Sequence, residues 1–218
     1  MNKRLSTVLV ILFLSGIALV TGGTSPAVAG ITAAKEDPYA LVKQTADRVL
    51  AEIASRKEEL TRNPGRIYGL VDDIVLPRFD FYRMSRLVLG RYWRRATDPE
   101  RAAFVREFRE LLVRTYATAL LSYSGQKIEY LPGHVAPGAR RVKVNTQVRE
   151  PGAPPIPIDY SLYLDDKGEW KVYDVSIDGV SLVSNYRSSF SSQIRRYKLS
   201  GLIQRLAERN RKSRDGNG

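Results

Sequence analysis

The segment Val142-Lys143-Val144-Asn145-Thr146-Gln147-Val148 places Val or Thr at every second position, and Ile156-Pro157-Ile158-Asp159-Tyr160-Ser161-Leu162-Tyr163-Leu164 repeats the pattern with larger apolar residues. A period of two sends alternate side chains to opposite faces, so each segment reads as a half-buried β-strand. Asp165-Asp166-Lys167-Gly168 has hairpin-turn composition and leads into another strand, from Glu169 to about Val175. Upstream, Lys127 to Leu131 reads as a strand closed by Pro132-Gly133. The expected unit is an antiparallel, twisted meander of about four strands, with one dry and one wet face.

A dry face needs a cover, and on both sides of the sheet the apolar period changes to 3.6. Asp37-Pro38 is a capped helix start, followed by Leu41, Val42, Thr45, Ala46, Val49, Leu50 and Ile53 on one face. Asn63-Pro64-Gly65 breaks this helix, and a second carries Ile67, Leu70, Val71, Ile74 and Val75 up to Pro77. Thr97-Asp98-Pro99-Glu100 is a capping box that launches the expected longest helix, to about Tyr123, with Phe104, Phe108, Leu111, Leu112 and Leu120 on its buried side. After the sheet, a helix is predicted from Leu182 to about Tyr197, interrupted at Ser200-Gly201 and resumed over Leu202 to Arg211. The fold class is therefore α+β, several helices packed on an antiparallel sheet. The expected organisation is one domain over 30–211, with a disordered tail over 212–218.

Between the helical runs lies Leu76-Pro77-Arg78-Phe79-Asp80-Phe81-Tyr82-Arg83-Met84-Ser85-Arg86-Leu87-Val88-Leu89-Gly90-Arg91-Tyr92-Trp93. Asp80 is placed to cap a helix over Phe81 to Leu89, with Gly90 as its stop and Arg91 to Ala96 as a connector. The mixture of aromatics with arginines fits a segment with one wall against a core or cavity and the other in water.

The 218 residues are 43% hydrophobic and 27% charged, enough for a sizeable core. Lys3 and Arg4, an apolar run from Leu5 to about Val20, and Ala27-Val28-Ala29 follow the order of a cleavable signal peptide over 1–29. With no Cys in the chain there is no lipobox, and the exported domain must rely on its core rather than on disulfides, which suits a bacterial periplasm. The formal net charge is +12, or +10 once Lys3 and Arg4 are removed. In an exported protein such a charge points away from nucleic acid and towards anionic lipid head groups or acidic partners. Arg78, Arg83, Arg86, Arg91, Arg187, Arg195 and Arg196 are the cations that suit such counter-charges; a solvated helix face is the plainer reading.

Catalytic constellations are scarce. His134 is the single histidine, and no P-loop, G-x-S-x-G or H-E-x-x-H pattern occurs, so no metal or cofactor is expected. Asp165-Asp166 belongs to a turn, and neighbours on a helix such as Asp72-Asp73 do not face each other. Asp159 or Asp174 pointing into a cavity would allow a small α+β enzyme. What remains is surplus apolar surface: Val75, Phe79, Met84, Val88, Leu89, Tyr92 and Trp93; Phe108, Leu112 and Tyr116 on the long helix; Val144, Val148, Ile158, Tyr160, Leu162, Trp170 and Val172 on the sheet; and Val180, Leu182, Tyr186 and Phe190 beyond it. Either all of this is core, or the helices cover the sheet incompletely and leave an elongated dry pocket lined by these residues.

Three fragments of the helical part, Leu76-Pro77-x-Phe79-Asp80, Leu89-Gly90-x-x-Trp93-x-x-Ala96-Thr97 and Phe104-x-x-x-Phe108-x-x-x-Leu112-x-x-x-Tyr116, resemble the toluene-tolerance family, the MlaC-type periplasmic phospholipid carriers. So do Tyr160, Trp170-Lys171-Val172-Tyr173-Asp174-Val175 and Gly179-Val180-Ser181-Leu182-Val183 with Asn185-Tyr186-Arg187 and Phe190. The resemblance implies a non-enzymatic shuttle with a bound phospholipid as cargo. Its docking partners would be an outer-membrane lipoprotein–porin complex and an inner-membrane ABC transporter bearing an MCE-domain ring, in a pathway that keeps the outer membrane asymmetric. Some relatives sit in hopanoid gene neighbourhoods, so another envelope lipid is the alternative cargo. A monomer is expected.

Overall fold

The computed structural model describes residues 36–215. The signal peptide expected over 1–29 lies outside the described residues. Helix α1 (Pro38–Ser55) starts as its sequence requires, with the Asp37 carboxylate accepting from Tyr39 N. Two short helices follow, α2 (Lys57–Arg62) and α3 (Arg66–Ile74), separated at Asn63-Pro64-Gly65. A 3-10 turn over Leu76–Arg78 leads to α4 (Phe81–Leu89), which is capped by Asp80 and stopped by Gly90 at φ +53°. The expected connector after Gly90 is instead a one-turn helix, α5 (Arg91–Arg95). Helix α6 (Asp98–Tyr116) opens with the reciprocal Thr97–Glu100 capping box. It ends earlier than the sequence pattern suggests, tightening into a 3-10 turn over Ala117–Ser122 that keeps Ala117 and Leu120 buried.

Strands β1 (Lys127–Tyr130), β2 (Arg141–Arg149), β3 (Ile156–Leu164), β4 (Trp170–Ile177) and β5 (Val180–Ser181) form an antiparallel sheet in sequential order. Among the described residues the sheet thus has five strands, one more than expected, because β5 adds a two-residue edge pairing Ser176 and Ile177. The register of β3 against β4 slips between Ser161 and Leu162. This bulge brings both Val172 and Val175 to the dry face and turns Asp174 away from it.

The last helical segment, α7 (Leu182–Asp215), is two helices joined at a break at Lys198 (φ +63°, ψ 174°), not at Ser200-Gly201. It continues to Asp215, past Arg211, with Lys212 and Arg214 in the last turn where the helix dipole favours cations. The half after the break folds back onto α6, burying Leu202 and Leu206, and Asn210 Nδ2 donates to Glu107 O at 2.9 Å. Among the described residues no helix is long and apolar enough to cross a membrane.

Burial is divided among three clusters. The first joins the dry face of the sheet to Leu41 and Val42 of α1. The second joins the rest of α1 to α2, α3 and the end of α6. The third joins α4, Trp93, α6 and α7.

Candidate functional site

The three clusters meet without merging, and between them lies a cavity of about 190 Å³. Its floor is the β3–β4 half of the sheet, with Ile158, Tyr160, Val172, Val175 and Ile177. Leu41, Val42, Thr45, Ala46 and Val49 of α1 form one side, and Leu112, Val113, Tyr116, Ala117 and Leu120 the other. Val71, Val75, Leu76, Phe79, Phe81, Met84 and Leu182 complete the wall. The lining is dry even where its residues carry hydroxyls. Thr45 Oγ1 turns back to its own helix and donates to Leu41 O at 2.8 Å. Burial pushes the phenols of Tyr116 and Tyr160 well above their ordinary range, Tyr116 additionally through its hydrogen bond with Tyr186, so both stay neutral. Arg78 is the one charged lining residue among those described; its side chain is half-exposed and stands 4.0 Å from Glu36 at the rim.

The rim is stitched to the sheet by hydrogen bonds. Asp80 N donates to Val172 O at 2.9 Å, and Phe79 forms a bridge with Val172. Lys171 Nζ donates to Pro77 O at 3.0 Å, and Tyr163 Oη donates to the Asp80 carboxylate. The Arg83 guanidinium stacks 3.9 Å above the Tyr163 ring centroid. The arginine-and-aromatic stretch therefore has the two walls expected of it, with Phe79, Phe81 and Met84 inward and Tyr82 and Arg86 in water.

Of the residues predicted to line a pocket, the fold brings Val75, Phe79, Met84, Leu112, Tyr116, Ile158, Tyr160, Val172 and Leu182 to this wall. Val144, Val148, Leu162 and Trp170 lie elsewhere in the sheet cluster, off the wall. Val88, Leu89, Trp93, Phe108 and Phe190 are packed in the α4–α6–α7 cluster, with Tyr92 and Tyr186 against it. Val180 is not buried but 51% exposed, because β5 is a two-residue edge strand with nothing stacked on that position. Sequence reading missed the α1 side of the wall, whose apolar stripe was legible but whose incomplete contact with the sheet was not.

Neither carboxylate required by the enzymatic alternative faces the cavity. Asp159 accepts from Asn145 Nδ2 across the strands at 2.7 Å, on the face opposite Ile158 and Tyr160. Asp174 accepts from Ser181 Oγ at 2.6 Å and from Val183 N at 3.0 Å, tying β5 and the start of α7 to β4. Among the described residues no group of three or more His, Cys, Asp or Glu side chains is arranged to hold a metal ion.

An antiparallel meander with helices over one face and a dry slot between the layers defines the architectural class, an α+β fold with an internal apolar cavity. A family model described as MlaC protein matches residues 43–208, and the chain belongs to the MlaC family. It is 28% identical over 167 residues to the toluene tolerance protein ttg2D of Pseudomonas putida, covering 76% of this chain and 77% of that one. It is 26% identical over 177 residues to the intermembrane phospholipid transport system binding protein MlaC of Haemophilus influenzae, covering 80% and 83% respectively. Among solved structures, the phospholipid-binding protein from Ralstonia solanacearum, in complex with a phospholipid, superposes with a TM-score of 0.74 at 35% identity, over 81% of this chain and 98% of that one.

Proposed function

We propose that this protein is a periplasmic phospholipid carrier, which shelters the acyl chains of its cargo in the cavity between sheet and helices and leaves the polar head at the Arg78 rim. The observation that carries the reading is the wall itself, built from apolar side chains and neutral phenols, with its one cation at the edge. Such a wall favours hydrocarbon and offers nothing to a reactive group. The relatives named for phospholipid transport or solved with a phospholipid support the same cargo.

Physical chemistry makes the task demanding. Two acyl chains of about 30 methylenes in total hold roughly 24 kcal/mol of burial energy in a bilayer, so a carrier must shelter them nearly as well. Helix α1 suits a wall that yields to such a guest. Its contacts across the cavity and with the sheet through Leu41 and Val42 are apolar, joined by a long hydrogen bond from Tyr39 Oη to Lys143 O at 3.4 Å. Apolar contacts are non-directional and re-form around hydrocarbon at little cost. The transfer route, between outer-membrane and inner-membrane lipid complexes, belongs to the same proposal.

Native mass spectrometry of protein purified from its own host tests this. Phospholipid should accompany the folded chain, and Leu112→Trp, which fills the slot, should reduce occupancy at least several-fold while the circular dichroism spectrum is unchanged. Protein that arrives without lipid and moves none between vesicles would refute the reading, and a hopanoid in its place would reassign the cargo.

A further inference from the structure

At the end of α4, away from the cavity, Arg86, Arg91, Arg94 and Arg187 line a cleft around Gly90 and Trp93. Several other arginines are paired: Arg56, Arg101, Arg109, Arg114 and Arg149 each sit within ion-pair distance of a carboxylate. Among the described residues none of the four cleft arginines has such a partner, and no acidic residue lines the cleft. A guanidinium keeps its charge at any physiological pH, so the four repel one another without relief from deprotonation. Shape holds them together instead. A Cβ on Gly90 would lie 2.9 Å from Arg187 Nη2 and 3.2 Å from Nε, so the guanidinium occupies the space that a side chain there would fill.

Two further observations bear on what the cleft receives. Arg86 also lines an adjoining groove of mixed charge, in which Arg83, Arg140 and Arg141 stand with Asp80, Asp165 and Asp166 and Arg140 lies 3.8 Å from Asp166; beside it Tyr82 is 56% exposed and edge-on to Trp93 at 5.0 Å between centroids. Neither groove contains a lysine. Exposed aromatics with arginine and without lysine are the composition of protein–protein hot spots, and paired guanidinium forks match carboxylates bidentately. The positive field is also felt by Tyr92, whose phenol is held below its ordinary range, first by the hydrogen bond from Arg91 and further by the charge of Arg195.

We propose that this arginine cleft is a docking surface for an acidic protein segment, one that presents Asp or Glu side chains to Arg86, Arg91, Arg94 and Arg187. A recess lined by planar forks fits side chains reaching in from a partner better than it fits the flat face of a bilayer. The cleft shares no residue with the wall of the apolar cavity, so a partner can dock while the cavity is filled.

The test uses the whole mature chain and a labelled peptide of alternating Asp and Glu, followed by fluorescence anisotropy across a salt series. Wild type should bind the peptide, and more weakly as salt rises. The double variant Arg94→Glu/Arg187→Glu, at two exposed positions, should lose at least about tenfold in affinity. Arg48→Glu/Lys57→Glu, the same charge change on α1 and α2, should lose much less. Arg187→Lys, which keeps the charge but not the fork, should fall in between, and Arg94→Gln provides a milder second variant should the double one fail to fold. Equal binding by the double variant and the charge control overturns the proposal. So does binding to phosphatidylglycerol vesicles, but not to phosphatidylcholine vesicles, in the absence of peptide binding, which makes the face a membrane contact. Unchanged lipid co-purification in the double variant keeps this result separate from the function of the cavity.

Discussion

Asp80 ends one segment and begins another. Its Oδ1 accepts from Arg83 N to cap α4, its other oxygen accepts from Tyr163, and its own N–H donates to Val172 O. The cap was legible in the sequence because the signal is local, an Asp just ahead of an apolar period. The Tyr163 partner, 83 positions away, was not. Tyr163 is pushed up to about 12, first by burial and then by its hydrogen bond to Asp80. A phenol raised in the folded state favours its neutral form there. The stability it confers is complete below its ordinary value of 10.0 and is lost as pH climbs towards about 12. Tyr163→Phe should therefore be less stable at neutral pH by about 1–2 kcal/mol and fall less steeply than wild type across that alkaline window. Urea unfolding at a series of pH values measures both.

Elements were read well where a local device set their limits and poorly where tertiary packing did. The Thr97–Glu100 box and the Gly90 stop are local and were correct. The break in α7 is not local. Gly201 looks like a breaker but is helical, and a Cβ on it would lie 2.9 Å from Tyr197 Cβ, so glycine serves close packing there. The turn falls instead on Lys198, because Leu202, Leu206 and Asn210 can reach α6 only if the chain bends at that point. A lysine in that region of backbone space is strained by about 1–3 kcal/mol, so Lys198→Gly should raise stability by about 1 kcal/mol, seen as a higher denaturation midpoint at unchanged m-value. The β3–β4 bulge is the same kind of event. Strict alternation from Trp170 and Val172 would aim Asp174 inward, and the slip in register sends Val175 there in its place.

For the whole molecule, periodicity separates dry faces from wet ones but does not say whether two dry faces touch. The sequence therefore held the two-layer architecture and the apolar inventory, while the division of that inventory between solid core and cavity wall depended on how three clusters pack. If the cavity carries lipid, occupancy stabilises the folded state by mass action. Protein stripped of lipid should melt about 5–10 °C below the same protein saturated at a hundredfold its dissociation constant, by calorimetry. The strap over Leu76–Asp80 carries one more consequence. β5 pairs only the last residues of β4, and further up that strand Phe79 and Asp80 occupy the backbone positions a neighbouring strand would take. Rim and sheet edge are thus one piece of chain, and displacing the strap would release Val172 O from Asp80 N and uncover that part of the β4 edge. An uncovered strand edge is a template for strand addition by another chain. Seated on β4, the strap keeps that edge from serving as such a template.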